Sequence, residues 1–213
     1  MAARAALRVG AGLVTLGCPP SALLENGCHL NAVMLRPIRD AGALAETLGD
    51  SRINALCLGP GLGTGSREAA LVAIALASGR RAVLDADALT LIADDPHLRA
   101  ALHERCVLTP HAGEFARLFP DLADRLTAEP AKYSKVDATR DAAARAGCVV
   151  LFKGPDTVIA DPTGRASINA SAYDRAAPWL ATAGSGDVLA GFITGLLARG
   201  FPPMQAAGPL RYR

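Results

Sequence analysis

The stretch Ile53-Asn-Ala-Leu-Cys-Leu-Gly-Pro-Gly-Leu-Gly-Thr-Gly-Ser-Arg-Glu-Ala-Ala-Leu-Val-Ala-Ile-Ala-Leu-Ala-Ser-Gly-Arg-Arg-Ala-Val-Leu-Asp85 decides the fold class. A short apolar run over 53–58 predicts a buried strand, four glycines follow it, an Ala-rich segment over 66–78 predicts a helix, and 81–85 is again a short apolar run. Strand, loop, helix and strand in that order form a βα unit, and such units build a mainly parallel sheet. The same alternation extends in both directions. Strands are expected at 13–16, 32–35, 106–108 and 148–152, with helices at 2–8, 20–25, 40–48, 88–94, 112–119 and 136–146. After Phe152 the period changes. Thr157–Ala160 and Ala166–Asn169 read as strands joined by the turn Asp161-Pro162-Thr163-Gly164, so the sheet should carry an antiparallel edge. A last long helix is expected from about Asp187 to Arg199, stopped by Gly200 with Pro202 and Pro203 beyond. The fold class is therefore α/β, one three-layer α/β/α domain over 1–213.

Composition agrees with a globular chain that builds its core without metal or disulfide. The 213 residues are 51% hydrophobic and 20% charged, and the net charge of +2 argues against a nucleic-acid footprint. The longest apolar runs, Ala69–Ala77 and Val188–Ala198, are too short to span a bilayer, so no membrane anchor is expected. Arg4 and Arg8 ahead of Val9–Cys18 give the outline of a signal peptide, but Gly10 and Gly12 break any helical core there. The five cysteines have no short spacing typical of a metal or redox motif and read as reduced thiols of a cytoplasmic protein. Arginine outnumbers lysine 19 to 3, so Lys153, at the end of a predicted strand, stands out.

In open α/β sheets ligands bind beyond the carboxyl ends of the strands. Four exits carry candidate chemistry, each beside an ordinary structural explanation. Gly59–Gly65 can bring backbone close to a phosphate or flat ring, or simply make a tight turn. Asp85 and Asp87 can orient a nucleotide-bound Mg²⁺ or a hydroxyl, or Asp87 can N-cap the next helix. In Thr109-Pro110-His111-Ala112-Gly113-Glu114, Thr109 suits an N-cap and Pro110 the first helical position, which leaves His111 in the first turn, as a neutral hydrogen-bonding group or a surface residue. Ala181–Gly191 is the strongest: Gly184, Ser185 and Gly186 open an apolar helix whose first amides can hold a phosphoryl group, and Asp187 can act as a base or merely complement the helix dipole. Lys153-Gly154-Pro155-Asp156-Thr157 can place a charge beside a nucleotide or form a solvated turn.

In order and spacing, the GPGLGTG loop, LDADAL, TPHAGE, FKGPDTVIADPTG and ATAGSGDVLAG resemble the ADP- or ATP-dependent NAD(P)H-hydrate dehydratases, from about Ala5 to Ala207. That resemblance implies a ribokinase-like fold and repair of NADHX and NADPHX, with ADP preferred over ATP as phosphoryl donor and Mg²⁺ carried on the phosphates. It assigns Asp187 as base and hydrate contact, Gly63 and His111 as further hydrate contacts, and Lys153, Gly154, Pro155, Asp156, Thr157, Gly184, Ser185 and Gly186 as the nucleotide site; no protein-bound metal is expected. Family members usually begin with a further strand and a Gly/Tyr-containing loop, whereas this chain opens at the following helix, and its last helix is short. The resemblance therefore also leads one to expect open edges that favour a homo-oligomer, and an NAD(P)HX epimerase supplied by another chain. A small-alcohol kinase of the same fold, such as a thiazole or hydroxymethylpyrimidine kinase, and an inactive nucleotide-binding relative are the alternatives.

Overall fold

The computed structural model describes residues 1–208; of the ending Gly208–Arg213, which the resemblance sets apart from the family's, residues 209–213 lie outside the described residues. In chain order the elements are α1 Ala2–Arg8, β1 Thr15–Cys18, α2 Leu23–His29, β2 Met34–Pro37, α3 Ala41–Thr47, β3 Ala55–Leu58, α4 Ser66–Ala77, β4 Arg81–Leu84, α5 Asp87–Asp94 and α6 Pro96–Ala100. They continue with β5 Cys106–Leu108, α7 Ala112–Leu118, α8 Pro120–Ala128, α9 Lys135–Ala146, β6 Val149–Phe152, β7 Asp156–Ala160, β8 Ala166–Ala170, α10 Ser185–Ala198 and α11 Pro203–Ala207.

Six strands form one sheet in the order β3-β4-β5-β6-β7-β8, parallel from β3 to β6 and antiparallel from β6 to β8. The antiparallel edge falls where the sequence period changes. Its turn is locked by Asp161, whose Oδ1 accepts from Thr163 N at 3.0 Å and Thr163 Oγ1 at 2.6 Å, with Gly164 at φ 85°. The first two strands depart from the expectation of one sheet: β1 and β2 pair in parallel as a separate two-stranded sheet, and no ladder among the described residues joins them to β3. A four-residue apolar run carries its own face but no information about which neighbour it will pair with.

Alternation along the central strands separates two apolar layers. Ala82, Leu84, Cys106, Leu108, Val150 and Phe152 pack under the helices that connect the strands, with Val72, Leu76, Leu89, Ile92, Phe115 and Leu118. Val83, Val107, Val149, Leu151 and Ile159 face Ala190, Ile193, Leu196 and Leu197 of α10. The sheet therefore lies between helices on both faces, as the α/β/α reading requires. Glycine lets α1 lie directly on α10: a methyl group on Gly191 would come within 2.8 Å of Ala2 C and Cα, and one on Gly195 within 2.7 Å of Ala6 O. Both positions are buried backbone-to-backbone crossings that only glycine admits.

Three short helices were not expected. For two of them the start signals are visible in hindsight: the Asp95 side chain accepts from His97 N at 2.8 Å ahead of Pro96 in α6, and Pro120 opens α8. The third, α11, begins at Pro203.

Candidate active site

The carboxyl ends of β3, β4, β5 and β6 lie side by side, so the exits at Gly59, Asp85, Thr109 and Lys153 share one edge of the sheet, whereas the Ala181–Gly191 segment is separated from the last strand, β8, by ten residues. At the β3 exit Gly59 crosses beneath the β4 exit, where a methyl group would collide with the Asp85 carbonyl. The loop that follows holds Gly63 at φ 92°, and its N–H donates to Asp87 Oδ2 at 2.8 Å. Asp87 is therefore not the N-cap of α5. It is the first residue of that helix, and its carboxylate anchors the glycine loop instead. The N-cap is Ala86, at φ 47° and ψ −120°, a strained conformation for a residue with a Cβ. On either side of Ala86 the two acidic side chains diverge, with Asp87 turned to Gly63 and Asp85 to Lys153.

At the β5 exit the expected cap also moves. Thr109 and Pro110 stay in the sheet, with Thr109 N donating to Leu84 O at 3.1 Å and Pro110 O accepting from Lys153 N at 2.8 Å. Continued pairing holds the chain extended, so the turn into α7 is delayed to His111, which is the N-cap rather than a first-turn residue. Its Nδ1 accepts from Gly113 N at 3.0 Å and Glu114 N at 3.2 Å, and its own N–H donates to Glu114 Oε2 at 2.8 Å, a reciprocal capping box. With Nδ1 accepting, a proton on the ring sits on Nε2, which lies 3.6 Å from Glu114 Oε1. The ring is exposed, with 61% of its side-chain surface accessible.

Lys153 follows β6 and is the centre of the arrangement. Its Nζ donates to Asp85 Oδ1 at 2.7 Å and lies 3.7 Å from Glu114 Oε2, and these carboxylates are only 3% and 10% exposed. Phe115 and Phe152, the neighbours of Glu114 and Lys153 in sequence, stack at 4.1 Å and 5°, which brings the α7 and β6 ends together. A methyl group on Gly186 would reach 3.5 Å from Lys153 Nζ and 3.7 Å from Asp85 Oδ2, so the start of α10 sits directly over the pair.

The 153–157 loop is held from below by Lys135, which was not singled out from the sequence. Its Nζ reaches Asp156 Oδ1 at 2.8 Å, Asp156 O at 3.0 Å and Lys153 O at 3.4 Å, and lies 4.4 Å from the Phe152 ring centroid. The Asp156 carboxylate is thus occupied by Lys135, and Thr157 Oγ1 donates to Gly154 O at 2.8 Å, while Gly154, Pro155 and Asp156 stay exposed. At α10, Gly184 adopts φ 89° and no side chain caps the helix. Ser185 turns back on the loop, its Oγ donating to Thr182 O at 3.0 Å and its N–H to the same oxygen at 3.3 Å. Half-buried Asp187 follows in the first turn and enters no ion pair among the described residues.

Lys153, Gly186 and Asp85 are therefore in direct reach of one another, with His111 joined to them through Glu114; Gly63 belongs to the neighbouring loop and is fixed by Asp87. Glu114 and Lys135 complete the arrangement without having been assigned roles from the sequence, and Asp85, a candidate there for orienting Mg²⁺ or a hydroxyl, is engaged by Lys153. The signal for Asp85 and Glu114 was their place at strand exits, whereas Lys135 lies on a helix far from any exit in sequence. An uncapped helix N-terminus beside an ammonium suits phosphate. Among the described residues no group of three or more His, Cys, Asp or Glu side chains is placed to hold a metal ion, and no helix is long and apolar enough to cross a membrane.

Comparison with known proteins gives a consistent result. Residues 1–208 match the sequence model described as NAD(P)H-hydrate dehydratase. The bifunctional NAD(P)H-hydrate repair enzyme of Mycobacterium tuberculosis is 46% identical over 156 residues, covering 73% of this chain and 30% of that protein. The ADP-dependent (S)-NAD(P)H-hydrate dehydratase of Xanthomonas campestris is 34% identical over 215 residues, covering 97% of this chain and 70% of that protein. A crystal structure of the ADP/ATP-dependent NAD(P)H-hydrate dehydratase from Bacillus subtilis, co-crystallized with ATP/Mg²⁺ and soaked with CoA, matches with a TM-score of 0.70 at 26% identity, over 97% of this chain and 71% of that one. The chain spans about a third of the length of the bifunctional relatives it matches.

Proposed function

Because the chain belongs to the NAD(P)H-hydrate dehydratase family, we propose that it is an ADP-dependent (S)-NAD(P)H-hydrate dehydratase that restores NADH and NADPH from NADHX and NADPHX. The observation that carries this reading is the meeting of the uncapped α10 start, with Asp187 in its first turn, and the Lys153–Asp85 pair. Hydroxide is a poor leaving group, so the ring hydroxyl must first become a phosphate ester. Asp187 takes the hydroxyl proton as that oxygen forms a bond to the terminal phosphorus of ADP and the bond to AMP breaks. Phosphate then leaves with the C–O electron pair, a proton is lost from the neighbouring ring carbon, and the ring double bond re-forms.

Gly184, Ser185 and Gly186 cradle the transferring phosphoryl group, with the open Gly186 amide and Lys153 facing its charge. Lys153–Thr157 line the nucleotide, while His111 Nε2 and the loop at Gly63 hold the hydrated dinucleotide. Magnesium would be carried on the phosphates, where it would supply neutralising charge, since the amides and the ammonium around them are hydrogen-bond donors and not ligands for it. The epimerase that interconverts the hydrate epimers is a functional partner, a link supported by the bifunctional character of the mycobacterial relative. Exposed Leu13, Leu24 and Met34 support a homo-oligomer.

The test is to incubate the purified protein with NADH hydrate, Mg²⁺ and either ADP or ATP. Return of reduced-ring absorbance with AMP and phosphate from ADP supports the proposal. ADP formation from ATP with thiazole or pyrimidine alcohols alone would assign a kinase instead. Thermal stabilisation by ADP without turnover would mark an inactive relative.

A further inference from the structure

Glu114 is nearly buried, comes from a helix start that also presents His111, and faces an ammonium from a different strand. Its Oε2 performs two tasks: it accepts the His111 N–H at 2.8 Å and lies 3.7 Å from Lys153 Nζ. Its Oε1 lies 3.6 Å from His111 Nε2. A carboxylate serving only as a helix cap needs neither the lysine nor burial, and one serving only to neutralise Lys153 would duplicate Asp85, which already holds that ammonium at 2.7 Å. The stacked Phe115 and Phe152 rings keep the two sides in register.

We propose that Glu114 is a positioning residue that couples the two ends of the reaction: its carboxylate accepts the His111 N–H and so completes the cap that seats the ring Nδ1 on the Gly113 and Glu114 amides, leaving Nε2 as the donor, while it restrains the Lys153 ammonium beneath the α10 N-terminus. This rests on the dehydratase reading for its kinetic consequence, but not for its geometry. With the hydrate on His111 and the phosphoryl group over Lys153, displacement of either end misaligns the attacking oxygen and the phosphorus, and misplacement by about 1 Å can cost on the order of 100-fold in rate.

Two variants separate the tasks. Glu114→Gln keeps an amide oxygen to accept the His111 N–H but removes the charge facing Lys153. It should leave the hydrate KM within about twofold of wild type and lower kcat by roughly 10- to 100-fold. Glu114→Ala removes both contacts and should also raise the hydrate KM. The same proteins, with histidine nitrogen-15 labelled, are read by NMR without substrate. Wild type should show His111 as the Nε2–H tautomer, Glu114→Gln should keep that signal, and Glu114→Ala should give a tautomer mixture.

A lowered melting temperature with unchanged kcat and KM in the folded Glu114→Gln protein would overturn the proposal, as would an unaltered His111 signal in a folded Glu114→Ala protein. If Glu114→Ala does not fold, Glu114→Gln decides alone. If wild type turns over no hydrate, the dehydratase reading fails, and the NMR comparison still decides whether Glu114 orders His111.

Discussion

Replacing Lys153 by methionine removes the ammonium between Asp85 and Glu114 while keeping most of its volume. At 2.7 Å and an effective dielectric constant of about 20, the attraction between Lys153 and Asp85 is about 6 kcal/mol. In the intact pair the desolvation of both ions cancels most of that gain. In the variant the Asp85 carboxylate, 3% exposed, is left charged with no partner, and breaking a buried pair in this way costs about 3–5 kcal/mol. The residual 20% exposure of the Lys153 side chain lets some water in and favours the lower end, about 3 kcal/mol. Urea unfolding near pH 7 should show a lower midpoint at unchanged slope. Adding Asp85→Asn to Lys153→Met removes the stranded charge and should recover more than half of the deficit. A deficit below about 1 kcal/mol, or one that Asp85→Asn leaves unchanged, would refute the reasoning, because surface pairs rather than buried ones behave that way.

Further outcomes follow from other contacts. Asp187→Asn should lower hydrate turnover by roughly 10²- to 10⁴-fold while ADP still raises the melting temperature, and loss of the ADP shift with retained chemistry would remove Asp187 from the base role. Gly191→Ala should cost about 1–3 kcal/mol in urea unfolding, because the added methyl would meet the Ala2 backbone at 2.8 Å and push α1 off α10; a change near zero would show that α1 is only loosely seated. Burial pushes the Cys106 thiol up to about 11 and holds the Cys148 thiol well above its ordinary value, so mass spectrometry after mild alkylation should find exposed Cys28 modified and those two protected until unfolding. Burial alone would raise the Asp161 carboxyl, but hydrogen bonds from Thr163 and Arg165 outweigh it and hold the group below its ordinary value. Its stabilisation is therefore present above about pH 4 and lost as the pH falls, and Arg165→Gln should flatten that part of the stability–pH curve.

Much of this architecture was legible in the residues. The central βα alternation and the antiparallel turn at Asp161–Gly164 are local patterns of period and turn chemistry, and the structure places them within a residue or two. Gly10 was also readable as a helix stop; it sits at φ 98° just beyond α1, with its N–H on Leu7 O at 3.1 Å. The caps at Thr109 and Asp87 misled because a cap is settled by where the sheet lets go of the chain, and Pro110 and Asp87 each had a partner outside their own segment. Ala86 gave no warning of its positive φ, since alanine does not advertise a strained turn as glycine does.

The sequence by itself determined most of the strands and the longer helices, because those properties depend on neighbours within a few residues. Only the tertiary structure decided that Lys135 clamps the 153–157 loop, that Lys153 is shared by Asp85 and Glu114, and that β1 and β2 stand apart from the main sheet. Those contacts join residues from about 20 to 70 positions apart, and pairing at that distance is fixed by how the layers pack rather than by any local preference.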